Sequence, residues 1–133
     1  MPDNGIVSVQ SRFSASETIE RLLATLAERN LTVFARVDHA AGAASVGLPL
    51  RTTELVIFGN PKGGTSLMQD QPSAGIDLPL KTLVWEDSES KVWLSYNDPT
   101  WIAQRHSLGV HSNPAVTVMV DMLCQIAHEV AGS

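Results

Sequence analysis

The chain has 133 residues and a formal net charge of −5, with 9 Lys and Arg residues against 14 Asp and Glu residues. This length suits a single domain, residues 1–133, with one hydrophobic core. The acidic balance argues against nucleic-acid binding, which needs clustered cations. The single cysteine, Cys124, excludes an intramolecular disulfide. Because residues 1–9 lack a signal-peptide pattern and no apolar run approaches the ~18 residues of a membrane span, we expect a cytoplasmic protein without membrane contacts.

The first third of the chain predicts a strand, a helix and a second strand. Ile6–Phe13 and Leu31–Val37 alternate between apolar and polar residues, as half-buried strands do. Between them, Ser14 and Glu17 form a capping box. The apolar residues that follow have helical spacing: Ile19, Leu22, Leu23, Leu26 and Ala27. This order favours a crossover between two parallel strands.

The most apolar run of the chain leads into its most glycine-rich turn. Leu55–Phe58 predicts a central strand that is buried on both faces. Asn60 and Pro61 then predict a helix start, as the cap and the first helical residue. The helix dipole and Lys62 favour binding of an anionic group there, although the spacing of a phosphate-binding Walker A loop is absent. The predicted ligand-binding residues of this turn are Asn60, Lys62, Gly63, Gly64 and Thr65. The alternative is a helix cap that serves packing alone.

Asp38 and His39 form a second candidate, at the predicted end of the second strand. An Asp beside a His can orient the imidazole for acid/base chemistry, but neighbours on a strand point to opposite faces. Asp38 as a turn cap and His39 as a surface residue is the alternative. Because ligand sites of parallel sheets lie beyond the strand ends, we expect Asp38 and His39 to lie close to Asn60.

The second half of the chain predicts a hairpin and two helices. Lys81–Glu86 and Lys91–Tyr96 are the hairpin arms, separated by a polar turn. Asp-Pro and Asn-Pro signals predict a short helix from Pro99 to about His106 and a final helix over Ala115–Val130. The aromatic residues of this half are expected to form one patch, as core, as a dimer contact or as a pocket wall: Trp85, Trp93, Tyr96 and Trp101.

Motifs for metal or nucleophilic chemistry are weak. His106, His111 and His128 lack the spacing of a metal site, so no metal is predicted. The G-x-S-x-G nucleophile motif is absent, and Cys124 within an apolar helix is expected to be a buried hydrophobic residue. The sequence names no catalytic residue and no cofactor, and leaves open whether the protein is an enzyme.

Several motifs together resemble one family. They are Asp38-His-Ala-Ala-Gly42, the run Glu54-Leu-Val-Ile-Phe-Gly-Asn-Pro61 with Gly64-Thr65, Asp77-Leu-Pro-Leu80, and Trp93-Leu-Ser-Tyr-Asn-Asp98. In this order they are similar to the DUF302 family, whose fold is called TT1751-like. The resemblance covers about residues 6–108. It implies a two-layer α+β domain with a mixed sheet covered by helices, a homodimer, and no established activity or catalytic residues. The helix over residues 113–130 extends the recognised part.

Three functions remain open on this basis. The first is a domain that binds a small molecule or an anion, as a sensor or accessory protein. The second is an interaction module that dimerises through its C-terminal helix. The third is an enzyme of unknown reaction that uses Asp38 and His39 as an acid/base or metal pair.

Overall fold

The computed structural model describes residues 4–133; residues 1–3, the start of the stretch examined for a signal-peptide pattern, lie outside the described part. The strands are β1 (Ile6–Ser11), β2 (Thr32–Asp38), β3 (Thr53–Gly59), β4 (Leu80–Glu86) and β5 (Val92–Asn97). The α-helices are α1 (Ala15–Glu28), α2 (His39–Ser45), α3 (Pro61–Asp70), α4 (Pro99–Arg105) and α5 (Asn113–Ala131). Two short 3₁₀ helices cover Pro72–Ile76 and Val110–Ser112.

The strands form one sheet in the order β1-β5-β4-β3-β2. All four neighbouring pairs are antiparallel. The α+β class is therefore confirmed, whereas the mixed sheet and the parallel crossover are wrong. β1 and β2 lie at opposite edges, and the β4–β5 hairpin separates β1 from β3. An alternating pattern identifies a strand but carries no information about its neighbour, because pairing depends on contacts distant in sequence.

The two faces of the sheet differ in burial. The inner face carries Val56 and Phe58, both fully buried. The intervening Leu55 and Ile57 are partly exposed on the outer face. The prediction that β3 is buried on both faces is therefore wrong. Four consecutive apolar residues satisfied that pattern, but the structure covers one of the two faces with helices.

Helices α1 and α5 pack on the inner face. Ser14 caps α1 by accepting a hydrogen bond from the Glu17 N–H at 3.1 Å, which confirms the predicted helix start. The Arg21 guanidinium donates to the carbonyl oxygens of Glu129 and Val130, both at 2.9 Å, and so joins α1 to the end of α5. The buried residues of the two helices form one core with the inner face, including Leu22, Leu26, Leu123, Ile126 and Val130.

The predicted hairpin is confirmed, but its aromatic residues do not form one patch. Trp85 and Trp93 face each other across β4 and β5 and stack with ring centroids 6.3 Å apart. Tyr96 is buried among the core residues of the inner face. Trp101 lies beneath Gly5, where an added Cβ would approach its ring to 2.4 Å. Alternation along β5 separates Trp93 from Tyr96, since three positions along a strand reverse the face.

Asp70 joins the end of α3 to the start of α5. Its carboxylate accepts hydrogen bonds from the Ser112 hydroxyl at 2.6 Å and from the Gly109 N–H at 2.9 Å. These two donors hold the pKa of the Asp70 carboxyl below its ordinary value. The contact fixes the relative position of the two helices that form the candidate site.

Candidate functional site

A cavity of about 870 Å³ opens between α3, α5 and the neighbouring ends of the sheet. Its volume lies within the range of roughly 300–1,000 Å³ that is usual for small-molecule sites. Its walls are mainly apolar, and their principal side chains are Leu31, Phe34, Met68, Leu78, Met119 and Met122. Methionine side chains are flexible and polarizable, so this wall can adapt to ligands of different shape.

The charged residues that line the cavity are both cations. They are Arg29, at the end of α1, and Lys62, in the first turn of α3. Within residues 4–133, Lys62 forms no ion pair, whereas Arg29 approaches Glu129 at 3.5 Å. The cavity therefore combines an apolar wall with a positively charged group that is free to contact a ligand.

The Asn60–Thr65 turn lines the cavity with all five of its predicted ligand residues. Asn60 acts as the predicted cap, because its side-chain oxygen accepts from the Lys62 N–H at 3.0 Å. Its carbonyl oxygen accepts from the N–H groups of Gly63 and Gly64, at 3.0 and 3.4 Å. The Thr65 hydroxyl donates to the Pro61 carbonyl oxygen at 2.7 Å. Since these donors are already used within the turn, the Lys62 ammonium is its main group for an anionic ligand.

The two glycines of this turn keep the cavity open. A Cβ on Gly63 would lie 3.6 Å from the Met119 side chain, and one on Gly64 would lie 3.9 Å from Leu78 and Met68. Both are ordinary contact distances, so larger side chains at these positions would extend into the cavity. Neither glycine has a positive φ, so the backbone conformation does not demand glycine at either position.

Asp38 and His39 lie at the other end of the sheet, so the predicted combined site with Asn60 is wrong. In the β2–β3 ladder, Asp38 is opposite Glu54, whereas Gly59, next to Asn60, is opposite Thr32. The five residue steps from Glu54 to Gly59 span roughly 17 Å at the usual rise of a strand. The proximity argument assumed parallel strands, and antiparallel pairing places the two strand ends on opposite sides.

The geometry agrees with the alternative in which Asp38 is a turn cap and His39 is a surface residue. The Asp38 carboxylate caps α2 by accepting from the Ala41 N–H at 2.9 Å. His39 is exposed in the first turn of α2. No hydrogen bond of the His39 ring is present within residues 4–133, so nothing there orients the imidazole for acid/base chemistry.

A second polar cluster joins the first 3₁₀ helix to α4. The buried His106 ring lies between two partners, with Nε2 2.6 Å from the Asp77 carboxylate and Nδ1 2.9 Å from the Ser73 hydroxyl. Arg105 donates to both carboxylate oxygens of Asp77, at 3.0 and 3.1 Å. The cluster does not line the 870 Å³ cavity. Its evident effect is to hold the segment before β4 against α4.

Three further predictions concern metal binding, membrane contacts and Cys124. Within the described part of the chain, no group of three or more His, Cys, Asp or Glu side chains is placed to hold a metal ion. Nor does any described helix combine the length and apolar character needed to span a membrane. Cys124 is exposed, so the expectation of a buried thiol is wrong. An apolar helix still turns part of its circumference to solvent.

Sequence reasoning identified the turn but missed the rest of the cavity wall. Met119 and Met122 belong to the predicted last helix, Ala115–Val130, where the spacing of an apolar residue does not distinguish a cavity wall from a core position. Nothing in the sequence pattern around Phe34 and Arg29 indicated that these residues line a cavity. Apolar residues that line a cavity and those that fill a core have the same periodicity, so only the spacing of the packed elements separates them.

Comparisons with known proteins agree with this architecture. The model of the family described as "Domain of unknown function DUF302" matches residues 7–126 and so extends into α5, beyond the 6–108 of the sequence resemblance. A crystal structure of an uncharacterised conserved DUF302 protein from Bacillus stearothermophilus superposes with a TM-score of 0.83. That comparison covers 95% of this chain and 98% of the other, at 16% identity, and therefore supports the fold alone.

Two relatives of this chain are named as ion channels. The chain is 56% identical over 118 residues to "Fluoride-specific ion channel FluC 1" of Brucella suis, which covers 89% of this chain and 46% of that protein. The same identity over 118 residues holds for "Fluoride-specific ion channel FluC 1" of Brucella abortus, of which 44% is covered. This chain thus spans less than half the length of these relatives.

Proposed function

This chain belongs to the DUF302 family, and we propose that it binds a small amphipathic anion in the cavity between α3 and α5. The observation that carries the proposal is a cavity of about 870 Å³ whose walls are mainly apolar and whose charged lining residues are both cations. Such a domain would act as a sensor or an accessory protein.

The apolar wall determines what the body of the ligand must be. Leu31, Phe34 and the methionines Met68, Met119 and Met122 provide no hydrogen-bonding groups that a sugar or nucleotide would require. A polar ligand would lose its hydration without replacement, which costs several kcal/mol per unpaired group. A hydrocarbon chain gains roughly 0.8 kcal/mol per buried methylene instead.

The two cations that line the cavity determine the charge of the ligand's head group. Lys62 is available for an ionic contact, and Arg29 lies on the same cavity wall. A carboxylate placed at the Lys62 ammonium would form an ion pair without displacing an existing one. We therefore infer that the ligand is a single-chain carboxylate of medium length.

The test compares three ligands of equal chain length by isothermal titration: decanoate, decanol and decyltrimethylammonium. We expect decanoate to bind best, and the preference over decanol to be about fivefold, or ~1 kcal/mol, the upper value for one exposed ion pair. Lys62→Gln should abolish this preference while decanol binding stays unchanged, because the apolar wall is intact.

Lys91→Gln is the matched control, since Lys91 is exposed on the β4–β5 turn and, among residues 4–133, its ammonium forms an ion pair with Glu89 alone. This variant should bind all three ligands as the wild type does. Absence of binding for all three ligands would contradict the cavity proposal itself. Equal binding of decanoate and decanol to the wild type would contradict an anionic head group. The ligand would then be inferred to be purely apolar.

A second candidate function follows from the curated relatives: an accessory domain of a fluoride channel. The 118 matched residues are 56% identical, which implies that the relatives contain this fold within a longer protein. In the described residues of this chain no helix is suited to span a membrane. We therefore infer that ion conduction in those relatives belongs to the remaining half, and that the matched part modulates it.

Fluoride flux from proteoliposomes tests this inference on the Brucella suis relative. We expect a truncated protein without the matched segment to conduct fluoride, and decanoate to change the flux of the full-length protein alone. A flux that decanoate leaves unchanged in both proteins would contradict a modulating role. Loss of conduction in a truncated protein that inserts normally would contradict the assignment of the pore.

A further inference from the structure

The polar cluster on α4 places a serine against a histidine that is itself held by a carboxylate. The Ser73 hydroxyl lies 2.9 Å from Nδ1 of His106, and Nε2 of the same ring lies 2.6 Å from the Asp77 carboxylate. A serine nucleophile is activated by two such contacts of about 2.6–3.2 Å, one to a base and one from the base to an orienting group. We call Ser73, His106 and Asp77 the triad. Their order along the chain is immaterial, because such a site is defined by geometry.

The Arg105 guanidinium determines where the proton of the imidazole ring lies. It donates to both carboxylate oxygens of Asp77, at 3.0 and 3.1 Å, so this side chain is an ionised acceptor. Nε2 of His106 must therefore donate to the Asp77 carboxylate. In the neutral ring, Nδ1 then carries a lone pair and accepts the hydrogen bond of the Ser73 hydroxyl. In this tautomer, His106 can remove the serine proton.

The surrounding structure fixes the triad but leaves its serine accessible. Ser73 is exposed beside the fully buried Ala74, and the Asp77 N–H donates to the Ala74 carbonyl oxygen at 3.0 Å. The Lys81 ammonium donates to the carbonyl oxygen of Asp77 at 3.2 Å. The His106 side chain is 6% exposed, so little solvent competes for its ring nitrogens. The serine oxygen is therefore open to a substrate while its base is held in place.

We propose that Ser73 is the nucleophile of an acyl-transfer site for short-chain carboxylic esters, with His106 as the general base and Asp77 as a positioning residue. The Ser73 oxygen bonds to the ester carbonyl carbon while its proton passes to Nδ1 of His106. The alcohol takes this proton and leaves, which breaks the original ester bond and forms an acyl-serine. Water, deprotonated by His106, then cleaves the acyl-serine. The products are the carboxylic acid and the restored serine hydroxyl.

The surroundings of Ser73 favour a short acyl group. In the first 3₁₀ helix, Pro72–Ile76, side chains three positions apart lie on the same side, so Ile76 is on the side of Ser73. Ile76 is 74% exposed and offers a small apolar contact at the surface. The triad does not line the 870 Å³ cavity, so the acyl group is held at this surface instead. A butyryl ester is therefore a suitable probe, and the activity is separate from ligand binding in the cavity.

A second serine–histidine pair in the same chain provides an internal control. The Ser133 hydroxyl also lies 2.9 Å from a ring Nδ1, that of His128. This pair is exposed, and among residues 4–133 no carboxylate forms an ion pair with the His128 ring. Comparison of the two serines therefore shows what the orienting carboxylate and the burial of His106 contribute to the reactivity of Ser73.

Labelling of the full chain with an alkyl fluorophosphonate, followed by peptide mass spectrometry, tests the proposal. In this reaction the serine oxygen bonds to phosphorus while the P–F bond breaks. We expect Ser73 to be labelled roughly tenfold or more faster than Ser133, because a positioned general base contributes about 10²–10⁴-fold. His106→Ala should slow the labelling of Ser73 by about 100-fold. Added imidazole should restore part of this rate, which a purely structural role of His106 would not allow.

Substitutions and a substrate assay complete the test. Asp77→Asn should slow the labelling of Ser73, and Asp77→Glu, which retains the carboxylate, should recover part of the rate. Ser73→Ala should abolish catalysed hydrolysis of p-nitrophenyl butyrate but bind decanoate as the wild type does, whereas Ser133→Ala, the matched control, should hydrolyse the ester normally. Equal labelling of Ser73 and Ser133 in the wild type would overturn the proposal, as would full hydrolysis by Ser73→Ala or an unchanged labelling rate in His106→Ala.

Discussion

Phe58→Ala is expected to lower the free energy of unfolding by about 3–5 kcal/mol, the usual loss for a fully buried aromatic residue. The Phe58 side chain is 0% exposed on the inner face of β3. It immediately precedes Gly59 and Asn60, which line the cavity. The alanine would leave a void in the core at the end of β3, two residues before Asn60, so ligand binding should weaken together with stability. Urea denaturation followed by tryptophan fluorescence measures the first effect.

Phe34→Ala provides the matched control for this substitution. Phe34 is 46% exposed and lines the cavity instead of the core. It should lower the free energy of unfolding by about 1 kcal/mol, in proportion to the smaller area that it buries. Equal losses for the two variants would mean that Phe58 does not occupy the centre of the core.

Asp77→Ala is expected to lower the free energy of unfolding by about 2–4 kcal/mol. The Asp77 carboxylate contacts both His106 and Arg105, and its side chain is 13% exposed. Its removal leaves the His106 ring, 6% exposed, without a carboxylate partner. Breaking a partly buried network costs more than losing one surface ion pair, because the remaining groups stay desolvated.

Asp121→Ala controls for the loss of a carboxylate, since Asp121 is exposed on α5 and forms no ion pair within residues 4–133. It should change stability by no more than about 0.5 kcal/mol. A double-mutant cycle with His106→Ala separates the Asp77–His106 coupling from the effect of each residue. A coupling near zero would contradict a shared network.

Local signals in the sequence were sufficient to predict several elements. Ser14 accepts a hydrogen bond from an N–H group of the helix whose start it predicts, and Asp38 caps α2, as its interpretation as a turn cap suggested. Asn60 and Asp98 do the same before Pro61 and Pro99. The polar turn between two β-rich runs likewise predicted the β4–β5 hairpin. These features depend on residues within about five positions of one another, so a short sequence window contains the relevant contacts.

Other features depended on residues that are distant in sequence. Antiparallel pairing of β2 with β3 separated Asp38 and His39 from Asn60 and so removed the predicted combined site. The same topology left the outer face uncovered, which the apolar run of β3 did not reveal. Pairing energies of strands come from cross-strand contacts, and a single strand does not specify them.

The amino-acid sequence by itself determined the family, the α+β class, the helix caps and the turn around Lys62. The tertiary structure decided the antiparallel order of the strands, the cavity and the exposure of β2 and α2. The turn is encoded locally, because Asn60 and Pro61 specify a helix start wherever they occur. The cavity is not encoded locally. It is the space left between α3 and α5 once residues distant in sequence, such as Phe34 and Met119, have taken their positions.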